Sequence, residues 1–170
     1  LLLTACGYAL QYKTWTVPSG QRLDVVLVQP NIEQHKKWAS DSLPNILAQL
    51  KEQSKAHWGS DLVVWPEAAV PALSHRVRGF LGTMHQRAEA SETTLLTGIP
   101  TYDSKQKKYH NSMIALGNIE SERQYNKTRL VPFGEYVPME SVLRGLITFF
   151  NLPMSTFSLG ADNQAPFTVQ

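Results

Sequence analysis

Residues 62–67 read LVVWPE, a short apolar run that ends in proline and a carboxylate. A bounded run of branched apolar residues predicts a buried β-strand. Pro66 disfavours the helical region for Trp65, so the strand must stop there. Because open α/β sheets bind ligands at the ends of their strands, Glu67 is a candidate site residue. The alternative interpretation is that Glu67 is an acid near the N-terminus of a helix that begins near Pro71.

The segments around this strand alternate between strand and helix patterns. Runs rich in β-branched residues predict three strands, at residues 23–29, 61–65 and 93–99, the last of them closed by Pro100. Apolar residues at helical spacing predict one helix at residues 42–57, capped by Asp41 or Ser42, and a second through residues 73–88. A hairpin is predicted from residues 109–116 and 120–125, with its turn at Gly117 and Asn118. The pattern indicates an α/β fold with a mixed sheet.

Composition and motif content narrow the possible functions. The chain has 170 residues, of which 42% are hydrophobic, so it can bury a core and form one domain or most of one. Its 16 basic and 14 acidic residues are scattered and give a net charge of +2, which argues against a nucleic-acid partner. The sequence lacks the motifs of metal-binding histidines, serine hydrolases, P-loop enzymes and dinucleotide-binding proteins. We therefore expect neither a metal nor a cofactor.

Both ends of the sequence suggest a larger protein. Residues 1–10 are uncharged and apolar, yet a membrane-spanning helix needs about 20 such residues. They are interpreted either as the end of a transmembrane helix, which we favour, or as a lipoprotein signal, because residues 3–6 read LTAC. Residues 1–22 are thus predicted to be a helix end plus a linker, and residues 23–170 a domain that is truncated within a strand.

A second cluster of candidate residues lies downstream. Lys127 follows a predicted strand, where an ammonium group can stabilise an oxyanion or lower the pKa of a thiol. Glu135 lies in a loop beside Gly134 and aromatic residues that can desolvate its carboxylate. The alternatives are an ordinary surface lysine and a solvated loop acid. Glu and Lys side chains suit a base and an oxyanion stabiliser, but the nucleophile is missing, because the single cysteine, Cys6, lies far upstream.

The order of Glu67, Lys127 and an expected cysteine resembles the Glu-Lys-Cys triad of the nitrilase superfamily. A narrower resemblance is carried by five segments: VQPNI at 28–32, WPEAAVP at 65–71, TGIP at 97–100, YHNS at 109–112, and residues 125–138, which begin YNK and end VPFGEYVP. Together these segments resemble the apolipoprotein N-acyltransferases. The resemblance implies an α/β nitrilase-like α/β/β/α sandwich, here incomplete at its C-terminus.

The resemblance also implies an activity and a location. Members of this family take an acyl chain from a phospholipid as a cysteine thioester and pass it to the N-terminal amine of a diacylglyceryl-cysteine apolipoprotein. They work in the bacterial inner membrane, with the catalytic domain on the periplasmic side. Mapped by motif, Glu67 is expected to be the general base, Lys127 the oxyanion stabiliser and Glu135 an auxiliary acid that supports Lys127. The family's nucleophilic cysteine is expected beyond Gln170, so the 170 residues alone are predicted to be inactive.

Substrate contacts are expected at three aromatic residues. Trp38, in the loop after the first strand, is expected to contact lipid. Phe149 and Phe150 belong to the apolar segment 139–157, which is either core or a membrane-facing arm through which acyl chains enter. Two other functions remain open, namely a nitrilase-type amidase and a noncatalytic module that binds lipid or lipoprotein.

Overall fold

The computed structural model describes residues 1–18, 20, 22–39, 41–119, 124–132, 134–136 and 157–169. In this part of the chain the α-helices are α1 (Leu2–Leu10), α2 (Gln34–Lys37), α3 (Leu43–Ser54) and α4 (Arg78–Ala90). Short 3₁₀ turns at Lys55–His57 and Ser74–Val77 extend α3 and precede α4. The strands are β1 (Val25–Leu27), β2 (Leu62–Val64), β3 (Thr94–Asp103), β4 (Lys108–Gly117) and β5 (Gln124–Asn126).

The five strands form one mixed sheet in the order β1-β2-β3-β4-β5. Strands β1, β2 and β3 are parallel neighbours, and β3, β4 and β5 are antiparallel neighbours. Helices α3 and α4 lie in the two parallel crossovers, which is the arrangement that parallel strands require. The predicted α/β class with a mixed sheet is therefore confirmed.

The core lies between the sheet and these two helices. Leu50 of α3 and Met84 of α4 are fully buried and belong to one cluster with Val63 and Leu95, which are register partners on β2 and β3. Successive side chains of a strand point to opposite faces, so the residues adjoining this pair, such as Val64, lie on the other face. There the sheet is less covered, and Leu27 of β1 is 75% exposed.

The structure differs from the sequence prediction at the end of β3 and in the capping of α3. Strand β3 does not stop at Pro100 but continues to Asp103, with Pro100 paired to Asn111 of β4. Beyond Leu96, β3 pairs with β4 but not with β2, so this stretch can hold a proline whose missing N–H faces away from the partner strand. Ser42 does occupy the N-cap position of α3, but its hydroxyl donates to the Ala39 carbonyl instead of capping the helix.

The predicted hairpin is present as the antiparallel pair β4 and β5, in which Met113 is opposite Tyr125. Strand β4 ends at Gly117, whose φ is +89°, and a Cβ there would lie 2.5 Å from the Ala88 Cβ. Glycine is thus required by both the backbone conformation and the close approach of α4. Residues 120–123, predicted to begin the last strand, lie outside the described residues.

Helix α1 buries none of its side chains, and Cys6 is exposed on it. Across the described ranges, no helix has the length and apolar character needed to cross a bilayer. Phe149 and Phe150, together with residues 139–156, lie outside the described residues.

Candidate active site

Glu67 lies in a turn that follows β2 directly. The Trp65 N–H donates to the Leu96 carbonyl at 2.8 Å, and the indole Nε1 donates to Ser54 Oγ at 2.8 Å, which anchors the buried Trp65 side chain. After Pro66 the chain turns, and the Ala69 N–H donates to the Pro66 carbonyl. Helix α4 begins only at Arg78, so the alternative in which Glu67 belongs to a helix N-terminus near Pro71 is wrong.

This turn rests on the backbone of β3 at Gly98. A Cβ at Gly98 would lie 2.5 Å from the Ala68 nitrogen, 2.7 Å from the Glu67 Cα and 2.8 Å from the Pro66 oxygen. Ala68 has a φ of +47°, in the left-handed region that residues with a side chain rarely adopt. The turn that carries Glu67 is therefore packed tightly against Gly98 of β3, where there is no side chain, and its next residue, Ala68, has an unusual backbone conformation.

Lys127 follows the last residue of β5, as its sequence context predicts. Its backbone is held on both sides, because its N–H donates to the Asn111 carbonyl at 2.8 Å and its carbonyl accepts from the Gly160 N–H at 3.0 Å. A Cβ at Gly160 would clash with the Asn126 carbonyl. The position of the lysine is thus set by β4 and by the segment at 157–169.

Glu67 and Glu135 converge on the Lys127 ammonium group. Lys127 Nζ lies 2.7 Å from Glu67 Oε1 and 3.0 and 3.1 Å from the two oxygens of Glu135. The amide of Asn111 joins the same two carboxylates, since its Nδ2 donates to Glu67 Oε1 at 2.7 Å and to Glu135 Oε1 at 2.5 Å. The three residues predicted from the sequence therefore meet, and Asn111 links them.

The Glu135 carboxylate is enclosed and fully engaged. Its side chain is 13% exposed, and Oε2 also accepts from the Val131 N–H at 2.7 Å. Burial by itself raises the pKa of Glu135, but the Val131 N–H, the Asn111 amide and the Lys127 charge outweigh it and lower the pKa. Glu135 is consequently an ionised anchor for the lysine, and the interpretation as a solvated loop acid is wrong.

The Glu67 carboxylate is different, because its side chain is 61% exposed and both of its hydrogen bonds reach one oxygen, Oε1. Within the described part of the chain, Oε2 accepts no hydrogen bond. An oxygen without a donor is available to take a proton from a reacting group. In the described residues, Glu67 therefore has a carboxylate oxygen that can accept a proton, whereas both oxygens of Glu135 are already engaged.

Two lysines border the site with opposite pKa shifts. Burial lowers the pKa of Lys127, but the hydrogen bonds and charges of Glu67 and Glu135 outweigh it and raise the pKa. Burial lowers the pKa of Lys37, an effect that the Glu67 charge partly offsets, and Lys37 Nζ donates to the Glu67 carbonyl at 3.3 Å. The two carboxylates therefore favour the charged form of Lys127, and Lys37 supports the turn that carries Glu67.

The carboxylates open onto two cavities. A cavity of 310 Å³ is lined by both glutamates, Lys37, Trp38 and Phe157, among others. A second cavity of 290 Å³ is lined by Glu67, Lys127 and residues of β3, β4 and β5. These spaces allow a substrate group to approach the Glu67 carboxylate and the Lys127 ammonium group together.

The structure also sorts the other predicted residues. Trp38 lies in the wall of the larger cavity and is 38% exposed, so it is placed near the site, although its contact with lipid stays a prediction. Asn111 had no role assigned from the sequence, and the only available signal was its position in the YHNS segment. In the described ranges no group of His, Cys, Asp and Glu is arranged to hold a metal.

The mixed sheet and the cluster of Glu67, Lys127 and Glu135 at one edge of it indicate an enzyme family with this fold and site. The chain belongs to the carbon-nitrogen hydrolase family, which it matches over residues 25–167. A crystal structure of a carbon-nitrogen hydrolase from Helicobacter pylori superposes with a TM-score of 0.52 at 17% identity, covering 85% of this chain and 47% of that one. This likeness shows the fold alone.

Curated relatives give a closer comparison. The chain is 41% identical over 160 residues to the apolipoprotein N-acyltransferase of Pseudomonas putida, with 93% of this chain and 31% of that protein covered. It is 42% identical over 171 residues to the protein of the same name from Pseudomonas syringae pv. tomato, with 97% and 33% covered. For Vibrio cholerae the identity is 37% over 169 residues, with 95% and 33% covered. The resemblance predicted from the sequence is confirmed, and the chain spans about a third of the length of these relatives.

Proposed function

We propose that this chain carries the base and the cation of an enzyme that moves an acyl chain from a phospholipid to the N-terminal amine of a diacylglyceryl-cysteine apolipoprotein. The observation that carries the proposal is the convergence of Glu67, Glu135 and Asn111 around Lys127 beside two cavities. The similarity to proteins named apolipoprotein N-acyltransferase supports the choice of reaction within the family.

The first half-reaction forms a thioester. Glu67 takes the proton of a cysteine thiol, and the thiolate attacks the ester carbonyl of the phospholipid. The carbonyl oxygen becomes an oxyanion that the Lys127 ammonium group stabilises. When the tetrahedral intermediate collapses, the C–O bond breaks and the proton on Glu67 passes to the departing lysophospholipid alkoxide.

The second half-reaction transfers the acyl chain to the amine. The free amine of the apolipoprotein attacks the thioester carbonyl, Lys127 again stabilises the oxyanion, and Glu67 accepts a proton from the attacking nitrogen. The C–S bond then breaks, the thiolate leaves and recovers the proton from Glu67, and an amide remains. Each proton that Glu67 takes is returned, so the base is regenerated in every turnover.

Roles for the two glutamates follow from their hydrogen bonds. Glu135 has both oxygens engaged and a lowered pKa, which suits it to hold Lys127 and not to accept a proton. Glu67 has a more exposed side chain, and no group in the described part of the chain donates to its Oε2, which suits it to act as the base. The role of an auxiliary acid supporting Lys127 is accordingly proposed for Glu135.

The nucleophile is proposed to be a cysteine outside these 170 residues. Cys6 lies on α1, a helix with no buried side chain, and is exposed. The site built by the described residues therefore contains a base and a cation without a thiol. We accordingly expect the 170 residues alone to transfer no acyl chain, and acyl transfer by the isolated segment would contradict this expectation.

Location and lipid contacts complete the proposal. The enzyme is proposed to act in the bacterial inner membrane with this domain on the periplasmic side, where its phospholipid and apolipoprotein substrates are available. Trp38, in the cavity wall, is proposed to contact the acyl donor, and Phe149 and Phe150 are proposed to contact acyl chains. If Phe149 and Phe150 are equally protected from a footprinting reagent with and without lipid, their assignment is wrong.

The proposal is tested in the full-length protein by mass spectrometry, which measures the transfer of a phospholipid acyl chain to a diacylglyceryl-cysteine peptide. Glu67→Gln should lower the rate about 10²–10⁴-fold because it removes the base. Lys127→Met should lower it about 10²–10³-fold because it removes the oxyanion stabiliser. The matched controls are Glu52→Gln and Lys55→Met, which remove the members of an exposed ion pair at 3.5 Å.

Full activity of Glu67→Gln or Lys127→Met would refute the proposed roles. Hydrolysis of a small amide without any transfer to the peptide amine would instead indicate an amidase. Binding of lipid without either reaction would indicate a noncatalytic module.

A further inference from the structure

We propose that Asn111 is a positioning residue that holds Glu67 and Glu135 on Lys127 through one oxygen each and leaves Glu67 Oε2 as the atom that takes the proton. The inference rests on the proposed function, since it names how the base of that same site is oriented. Its starting observation is that a single amide nitrogen donates to both carboxylates, at 2.7 and 2.5 Å.

Asn111 is more deeply buried than the groups it binds. Asn111 is only 7% exposed and lies inside β4, in register with Pro100 of β3. Its carbonyl also accepts the Lys127 N–H at 2.8 Å. Asn111 therefore touches both carboxylates through its side chain and the lysine through its backbone, all from one rigid strand position.

Glu67 needs such a restraint because its own surroundings provide little. Its side chain is 61% exposed and has three rotatable bonds, so it can swing towards water without a partner. Lys127 alone attracts the carboxylate but does not determine which oxygen points away, since an ammonium group donates in several directions. With Lys127 and Asn111 both on Oε1, the orientation of Oε2 is determined as well.

The amide also helps to keep the Glu135 carboxylate charged, since its hydrogen bond lowers the pKa of that acid. Hydrogen bonds donated to an ionised carboxylate favour the charged form, so their removal raises the pKa of the acid. Apart from the two glutamates, the charged and titratable groups that line the two cavities are Lys127 after β5, Lys37 at the end of α2 and Tyr125 on β5. Asn111 itself carries no charge, so a raised pKa of Glu135 in Asn111→Ala is assigned to the lost amide hydrogen bond.

The test uses Asn111→Ala and Asn111→Asp in the full-length protein, with Thr101→Val as the matched control. Thr101 is also a buried strand residue, but its hydroxyl bonds to Ser112 and contacts neither carboxylate. Asn111→Ala should lower kcat/KM about 10–100-fold at neutral pH and move the acid limb of its pH profile to higher pH. Asn111→Asp should be worse, because it adds a third negative charge where the two donors were.

A second measurement does not depend on turnover. The reactivity of Lys127 towards acetic anhydride reports the fraction of its amine that is unprotonated, and Lys55 in the same protein provides the internal reference. If Asn111 holds the carboxylates on Lys127, Asn111→Ala should lower the pKa of Lys127 and raise its relative acetylation several-fold. Thr101→Val should leave the ratio unchanged.

The outcomes separate the two proposals. A shifted acid limb together with increased Lys127 acetylation supports the role of Asn111. Unchanged acetylation of Lys127 overturns it. So does a loss of rate in which the acid limb of the pH profile stays in place and both the rate and the thermal stability fall as they do in Thr101→Val. If Glu67→Gln is fully active, the proposed function fails on its own, whereas the acetylation of Lys127 still decides whether Asn111 positions the cluster.

Discussion

Replacing Gly98 by alanine tests whether the tight contact between β3 and the Glu67 turn is required for both stability and activity. The new Cβ would lie 2.5–2.8 Å from backbone atoms of residues 66–68, whereas ordinary contacts are near 3.4 Å or more. These atoms belong to the backbone, so no side chain can rotate out of the way. The turn that carries Glu67 must therefore shift by a large fraction of an ångström.

The expected cost follows from this overlap. Forcing an extra methyl group into a packed region costs about 1–3 kcal/mol. For a protein region of this size that corresponds to a fall in Tm of about 2–12 °C. Because the displaced segment holds Glu67, the proposed general base, acyl transfer should also fall, by about 10²-fold for a displacement near 1 Å.

The matched control is Gly82→Ala on α4. An added Cβ at Gly82 would meet no atom within 4 Å, and alanine favours a helix interior over glycine by about 0.5–1 kcal/mol. Gly82→Ala should therefore raise Tm slightly without changing activity. Thermal unfolding followed by near-ultraviolet circular dichroism measures both variants. If Gly98→Ala retains the native Tm and rate, the tight approach of the turn to β3 is not required and the reasoning fails.

Three further predictions follow from other contacts. Ser54→Ala should lower stability by about 1–3 kcal/mol, because it leaves the buried Trp65 indole N–H without its acceptor. Thr83→Ala, at an exposed position of α4, should change stability little. Equal unfolding midpoints for the two variants would contradict this. The pKa of Glu135 is lower in the folded protein than in the unfolded chain, so the stabilisation it provides is present above the unfolded pKa and is lost as pH falls through the folded pKa. The difference in Tm between the native protein and Glu135→Gln should therefore shrink on acidification. A difference that grows towards low pH would contradict this. Trp38→Ala should raise the KM for the phospholipid donor and leave Tm nearly unchanged, since the side chain lines the cavity and is 38% exposed; an unchanged KM would exclude it as a donor contact.

The candidate residues from the sequence were found because their signal is local. A proline directly after an apolar run ends a strand whatever surrounds it, so the position of Glu67 at a strand end depends on residues 62–67 alone. The same holds for Lys127, which follows the last residue of β5. Local patterns also predict helices α3 and α4, because their apolar stripes face the sheet at helical spacing.

Other features could not be predicted in this way. Pro100 is a local signal for a strand end, yet β3 continues through it, because this part of β3 pairs with β4 but not with β2. Only the sheet topology shows this pairing. Apart from its place in the YHNS segment, Asn111 gave no signal, because an asparagine in a strand pattern is not by itself a site residue. Its partners Glu67 and Glu135 lie 44 and 24 residues away and are brought to it by the strand pairing.

The sequence by itself thus determined the α/β class, the family resemblance and the presence of a carboxylate and an ammonium group directly after two strands. Only the tertiary structure decided which carboxylate is which. Glu135 is enclosed and has both oxygens engaged, whereas Glu67 is exposed and, among the described residues, its Oε2 has no donor. The physical reason is that the pKa and the availability of a carboxylate depend on burial and on hydrogen-bond donors from distant segments, and these exist only when β4, β5 and the turn after β2 are assembled.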